Sequence, residues 1–287
     1  MKIVALIGGR AQHVHLVNAI AGRFGLDLVI AESTARRRFK GLTNKLRTAW
    51  AMRSARPFAQ RLMVKVRNPR EAATYDAAFG SSWRQLDPDV PLMRTPSVNS
   101  HAVQERLVEL RPDVLVVHGT AIVAERIIAT APLALNLHWG LSPYYRGTHC
   151  TEWALIHHDP YNIGVTIHQL TQRIDGGGII AQARVVPAAA DTPLSINMKL
   201  TAAGTTQLLE ALARVADGRT LEPVEQDLTR GYLTLNRQWS SDLRRHLARQ
   251  LRDGALARML DKPARKQRLP IVEPTSDGAE EATSDQR

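Results

Sequence analysis

The first thirty residues narrow the possible folds most. Lys2–Gly9 is a short apolar run ending in glycine, and Asp27–Ala31 is a second apolar run. Between them His13–Phe24 carries Val14, Val17, Ala21 and Phe24 on one helical face. Two parallel strands cannot be joined by a tight turn and need a crossover, which a helix fills. Strand, helix and strand at this spacing therefore open a parallel α/β sheet.

The alternation resumes past residue 100. Ser100–Leu110 reads as a helix with Val103, Leu107 and Leu110 in one stripe, ended by Pro112 and Asp113. Val114–His118 is almost wholly apolar, as a strand covered on both faces must be. A helix over Val123–Thr130 leads through Pro132 to a strand at Ala134–His138, and a Gly-, Pro- and Tyr-rich loop spans Trp139–Gly147. A helix over Thr151–His158, strands at Gly164–Leu170 and Gly177–Val186, and a long amphipathic helix over Leu194–Val215 complete the pattern. The expectation is an α/β fold, a Rossmann-like, mostly parallel sheet with helices on both faces, over residues 1–220. Beyond Leu221 the pattern loosens into a C-terminal helical extension, 221–262, with a basic surface helix over Asp242–Leu260. Residues 263–287 are polar and read as a disordered tail.

The hydrophobic fraction is 44% and the charged fraction 23%, which excludes a fibre or a wholly disordered chain. No apolar run approaches the ~20 residues of a membrane helix. The N-terminal apolar run is about five residues, shorter than a secretory core, so a cytoplasmic location is expected. The single cysteine, Cys150, excludes an internal disulfide and a multi-cysteine zinc site, and reads as a small partly buried residue ahead of a nucleophile.

The net charge of +11 is unevenly distributed. Between Thr34 and Arg70 stand about a dozen Lys and Arg and no acidic residue. Leu42, Leu46, Ala49 and Trp50 fall at helical spacing within that block, so a basic helical insert is expected at about 34–98. Such a block is either a solvated face or a surface for phosphates or anionic lipid.

Polar residues gather where the strands end, which is where open parallel sheets bind ligands. Asn136 and His138 alternate along one strand, so their side chains point to the same side. Asn supplies an amide donor for a developing oxyanion, and His a group that titrates near neutrality. Asp175 stands in Arg173-Ile174-Asp175-Gly176-Gly177-Gly178, where the glycines allow close backbone approach. An Asp there can pass protons or hold His138 in one tautomer. The trio suits addition of an amine to a carbonyl carbon.

The run Asn136-Leu137-His138-Trp139-Gly140-Leu141-Ser142-Pro143-Tyr144-Tyr145-Arg146-Gly147 resembles the N-x-H-x-S-L-L-P-x-x-x-G signature of the folate-dependent formyltransferases. Gly164-Val165-Thr166-Ile167-His168 and Asp175-Gly176-Gly177-Gly178-Ile179 resemble that family's G-V-T-x-H and D-x-G-x-I blocks, in order. The resemblance covers Pro112 to Ala213 and, loosely, the first strand. It implies the formyltransferase fold, 10-formyltetrahydrofolate as donor co-substrate and a primary amine as acceptor. It implies that Asn136 binds the formyl oxygen, that His138 acts on the oxyanion or the proton, and that Asp175 relays the amine proton. His118, Gly119, Thr120, Ala121 and Ile122, with Gly176 and Gly177, would line the donor pocket. Arg10, Arg146, Gly147 and His168 would serve the acceptor side.

This chain departs from the signature at Gly140, where the motif has serine, and at Ser142, where it has leucine. The first turn, Gly8-Gly9-Arg10-Ala11-Gln12-His13, lacks the Gly-Ser-Asn run of the glycinamide ribonucleotide enzymes, although Arg10 offers charge in its place. Too few residues follow the core for the C-terminal barrel of the methionyl-tRNA enzymes. An amino-sugar nucleotide is the favoured acceptor, ahead of glycinamide ribonucleotide, an amino acid or siderophore amine, or methionyl-tRNA. A homo-oligomer is compatible with the sequence.

Three rival readings stand beside this one. A metal hydrolase built from His138, His149, His157, His158 and His168 lacks metal-site spacing, and no metal is expected. A nicotinamide enzyme would need G-x-G-x-x-G after the first strand, and Ala11 and His13 break it. A non-catalytic RNA or membrane-surface protein would use the basic insert, but aromatic residues are only 5% and no RNA-binding signature interleaves them with the charges. Nucleic acid is therefore not the expected partner, and a small-molecule amine is.

Overall fold

The computed structural model describes residues 1–32, 62–64, 66, 68–261 and 269–272. The helices expected around Leu42–Trp50 lie outside the described residues, as do 262–268 and 273–287. The chain begins with β1 (Ile3–Gly8), α1 (Ala11–Phe24) and β2 (Leu28–Glu32), and resumes with α2 (Pro69–Phe79) and β3 (Leu92–Thr95). Then come α3 (His101–Leu110), β4 (Val114–His118), α4 (Glu125–Ile128), β5 (Leu133–His138), β6 (Tyr145–Gly147), α5 (Cys150–Ile156), β7 (Gly164–Gln169) and β8 (Ile179–Arg184). The long α6 (Pro193–Ala216), β9 (Tyr232–Thr234), α7 (Ser241–Arg252) and α8 (Ala255–Leu260) complete the described part.

Seven strands form one sheet in the order β3-β2-β1-β4-β5-β7-β8. The first five are parallel, and β7 and β8 are antiparallel to their neighbours. All residues of β1 and β4 are buried, because the sheet is covered on both sides. Ile3, Ala5 and Ile7 face one core with Val14 and Val17 of α1 and Ile196, Leu200 and Leu208 of α6. Val4 and Leu6 face the other with Val103 and Leu107 of α3 and Ile127 of α4. Successive strand residues point to opposite faces, so one strand feeds both cores.

The helix ends follow their sequence signals. Ser100 caps α3 by accepting the Val103 N–H, and Thr192 and Ser195 cap α6 reciprocally, with Pro193 in the first turn.

Four expectations are corrected. Leu92–Thr95, expected inside a basic insert, is an edge strand of the main sheet, paired with β2. The helix expected over Val123–Thr130 shrinks to Glu125–Ile128, with Ala124 as its N-cap and the Ala124 N–H donated to Asn99 Oδ1 at 2.7 Å. Tyr145–Gly147, expected as loop, pairs in parallel with Tyr232–Thr234. The surface helix expected over Asp242–Leu260 is two helices broken at Gly254 (φ 74°), and Leu247, Leu256 and Met259 are buried.

The segment after α6 folds back over the sheet. Val224 bridges to Ile179, and Leu269–Val272, expected within the disordered tail, lies along β8, where the Gln182 N–H donates to Val272 O at 3.1 Å. Contacts of this kind cover a sheet edge that would otherwise expose unpaired backbone groups. Among the described residues no helix is long and apolar enough to cross a membrane.

Two helical glycines separate backbone entropy from packing. A Cβ on Gly22 meets nothing within 4 Å, whereas one on Gly204 comes to 2.8 Å from Val165 Cγ2 and 3.1 Å from Leu137 Cδ1. Gly22→Ala is expected to stabilise the protein by about 1 kcal/mol. Gly204→Val is expected to destabilise it by about 2 kcal/mol through overpacking. Opposite shifts of the thermal midpoint, read by circular dichroism, check the pair.

Candidate active site

The site forms where the sheet changes from parallel to antiparallel. Asn136 and His138 project to the same side of β5, and the antiparallel register sets His168 of β7 opposite Asn136. Asp175, from the glycine-rich turn before β8, reaches into the space between them. Its Oδ2 accepts the Gly147 N–H at 2.8 Å and lies 3.3 Å from His138 Nδ1. Its Oδ1 accepts from Asn136 Nδ2 at 3.3 Å and lies 3.5 Å from His168 Nε2. The Asp175 backbone is left-handed (φ 46°), an uncommon conformation for a residue other than glycine. It is held by two side chains that donate to its carbonyl, Ser142 Oγ at 3.3 Å and Gln226 Nε2 at 3.1 Å.

The hydrogen-bond partners assign the tautomers. His168 Nδ1 lies 2.8 Å from Gln169 O, which only accepts, so Nδ1 carries the proton and Nε2 accepts from Asn136 Nδ2 at 3.0 Å. Both Asn136 amide protons are therefore engaged, one by His168 and one by Asp175, and its Oδ1 is the atom left over. Reversing the amide would set an oxygen 3.3 Å from a carboxylate oxygen. The amide donor expected at Asn136 is thus occupied in the free protein.

His138 has an acceptor on each side, with Asp175 Oδ2 at Nδ1 and Tyr145 O 3.1 Å from Nε2. A neutral ring must leave one lone pair exposed, and Cys150 Sγ, 3.6 Å from Nε2, is a weak donor at that position.

Charge follows from these contacts. Burial works against ionisation of Asp175, which is 14% exposed, but imidazolium charge at His138 and His168 and the Gly147 N–H, which all favour the carboxylate over the acid, bring its pKa down to about 2. Burial lowers the pKa of His138, and the Asp175 charge offsets this only in part. At neutral pH the site therefore holds a carboxylate beside a neutral imidazole.

The expected donor-side residues lie at the end of β4, the strand next to β5. His118 is buried and donates from Nδ1 to Leu137 O at 2.8 Å, while Nε2 has no partner among the described residues. Burial lowers its pKa to about 4. Its ring meets that of His13 edge-on at 4.8 Å, and Gly8 and Gly119 leave no room there for a Cβ. The loop beyond is clamped: Ala121 N–H donates to Glu32 Oε2 and Asn99 Nδ2 donates to Ile122 O, both at 2.8 Å. Thr120 Oγ1 turns inward to Ala121 O, and Ile122 is 64% exposed. Glu32 ends β2, where nicotinamide enzymes bind ribose, but here both its oxygens hold backbone N–H groups of Val98 and Ala121. Gly176 and Gly177 form the turn after Asp175, and a Cβ on Gly177 would sit 1.9 Å from Gln169 O.

On the expected acceptor side, Arg10 is exposed at the start of α1. The buried Arg146 guanidinium instead donates to Pro143 O at 3.3 Å and Leu228 O at 3.0 Å, so it braces the loop. His149 stacks on Trp239, and the exposed His157 packs on Tyr232. Among the described residues no three His, Cys, Asp or Glu side chains are placed to hold a metal.

Residue-level reasoning missed Ser142 and Gln226, which donate to the Asp175 carbonyl, and Gln182, which donates to the Ser142 carbonyl. The departure at Gly140 was the available signal. A Cβ there would sit 2.4 Å from both His138 Nε2 and Tyr145 O.

The buried histidines make stability depend on pH. His118 titrates at about 4 when folded and near 6.5 when unfolded, so the unfolded chain binds its proton first as pH falls. The associated stability is complete above pH 6.5 and is lost as pH falls to 4, about 3 kcal/mol for this residue. Denaturant unfolding at pH 7, 5.5 and 4.5 is expected to show this loss, and His118→Asn is expected to flatten the profile.

Comparison with known proteins gives the family of the chain. The family described as formyl transferase matches residues 43–212, more than half of the chain. The fold is shared with a sugar N-formyltransferase from a Shewanella species at 17% identity, over 92% of this chain and 89% of that one, with a TM-score of 0.53. It is shared with glycinamide ribonucleotide transformylase 1 from Symbiobacterium toebii at 20% identity, over 79% and 93%, TM-score 0.51. HypX from Aquifex aeolicus, solved with tetrahydrofolic acid, matches at 15% identity over 84% of this chain and 30% of its own, TM-score 0.50. With its motif blocks folded around one carboxylate and the family match spanning most of the sheet, the chain belongs to the formyl transferase family.

Proposed function

We propose that the chain transfers a formyl group from 10-formyltetrahydrofolate to a primary amine, with an amino-sugar nucleotide as the acceptor class. The observation that carries the reading is Asp175, an ionised, largely buried carboxylate in contact with Asn136, His138 and His168 at a strand end. The donor supplies an activated formyl carbon. The residues present suit such a ligand, because the His118–Ile122 loop offers backbone groups and an exposed Ile122 beside a buried His118 Nε2 unpartnered among the described residues.

In this reading Asp175 orients the attacking amine by accepting one of its N–H bonds. The amine loses one proton as it adds to the formyl carbon, and Asp175, oriented by the neutral His138, takes it. Once Asp175 holds that proton its grip on Asn136 Nδ2 weakens, and that N–H becomes available to the oxyanion. Asn136 therefore acts late, after the carboxylate releases it. The same proton would pass to the donor nitrogen as its bond to the formyl carbon breaks, leaving a formamide and tetrahydrofolate. His168 keeps the Asn136 amide oriented throughout.

The acceptor class is supported by charge and by fold. Arg10 stands exposed at the first turn of a 14-residue helix, where the dipole and a guanidinium both favour phosphate. The Shewanella protein that shares the fold is a sugar N-formyltransferase.

Calorimetric titration with a stable 10-formyltetrahydrofolate analogue is expected to give a Kd on the order of micromolar. Asp175→Asn and His138→Ala are expected to lower the turnover of an amino-sugar nucleotide by about 10²–10⁴-fold while the fold is kept. Near-normal turnover in both variants would remove the assignment.

A further inference from the structure

Gln182 of β8 is 3% exposed, and both polar ends of its side chain are engaged. Its Nε2 donates to Ser142 O at 2.7 Å and to Thr166 Oγ1 at 2.9 Å. The Thr166 hydroxyl passes its own proton to Gly140 O at 2.7 Å and accepts the Ser142 N–H at 3.1 Å. One amide and one hydroxyl thus fasten both ends of the turn Gly140–Ser142. That turn lies against His138 Nε2 through Gly140, and it reaches Asp175 through Ser142 Oγ.

The remaining polar atom of Gln182 faces away from the site. Oε1 accepts the Val272 N–H at 3.0 Å, and the Gln182 backbone N–H donates to Val272 O. Leu269 anchors the same segment, since its N–H donates to Asn162 Oδ1 at 2.9 Å and its carbonyl accepts from Arg184. A buried amide with all its partners in place is rigid, and one deprived of a partner turns to find another.

We infer that Gln182 is a positioning residue through which the C-terminal segment Leu269–Val272 fixes the turn Gly140–Ser142 and, with it, the placement of His138 and Asp175. The segment is then a distal brace of the site. This rests on the proposed roles of His138 and Asp175, so its test reads the imidazole directly and needs no acceptor.

The experiment uses the full chain and two variants. Gln182→Met keeps length and removes the amide, while Val272→Pro removes one N–H and leaves Gln182 intact. The His138 ring is followed by NMR of protein labelled with ¹⁵N-histidine across a pH titration, and thermal unfolding is recorded beside it. In Gln182→Met the His138 midpoint is expected to rise by about half a pH unit, because a loosened turn admits water to a ring whose pKa burial lowers. Val272→Pro is expected to shift it in the same direction by less. An unchanged His138 titration in Val272→Pro overturns the inference, whether or not Gln182→Met folds. Failure of wild-type protein to bind the folate analogue, with both His138 shifts present, would count against the donor assignment and leave the brace standing.

Discussion

Burial of a carboxylate is unfavourable unless its neighbours make ionisation easier than in water. Among the described residues no lysine or arginine does this around Asp175. Two imidazoles, one amide and one backbone N–H act together, and they come from three strands. Asn136 and His138 come from β5, His168 from β7, and Gly147 from the end of β6. The carboxylate therefore reports whether the strands have reached their register. A slip of β7 by one residue against β5 would turn His168 to the opposite face and remove two contacts at once.

The parallel part of the sheet sets one edge of this arrangement, and its last strand, β5, carries Asn136 and His138. Its strands are buried on both faces and place their C-terminal ends along one edge. The antiparallel addition of β7 and β8 brings the second histidine and the aspartate turn to that edge. The chain beyond α6 wraps the same region: Gln226 holds Asp175, Leu228 O receives Arg146, and β9 pairs with β6. The C-terminal part is thus built into the site, although its sequence reads as an extension.

Much of the fold is legible in the sequence, for physical reasons that also explain the gaps. Val114–His118 is predicted to the residue, because a doubly covered strand has no polar interruption. Asn136 and His138 fall on one side because the strand period is two. β3 escapes notice because four half-polar residues at an edge carry no continuous apolar signal. β6 and β9 have three residues each, and their pairing depends on a contact between Gly147 and Thr234 that sequence spacing cannot suggest. Gln182 reads as one polar residue in an alternating strand, and its function emerges only when the turn on one side and Val272 on the other are in place. The engaged Asn136 amide is hidden for the same reason, since its partners arrive from 32 and 39 residues away.

Gly140 bears on how this loop can change over time. The related signature has serine there, yet in this chain the volume a side chain would need is occupied by the His138 ring and the Tyr145 carbonyl, with Cys150 Sγ 3.0 Å from where a Cβ would stand. A serine at Gly140 is shut out until those neighbours yield. Gly140, Tyr145 and Cys150 form one packed set, and transplanting the loop to another scaffold would mean moving all three together.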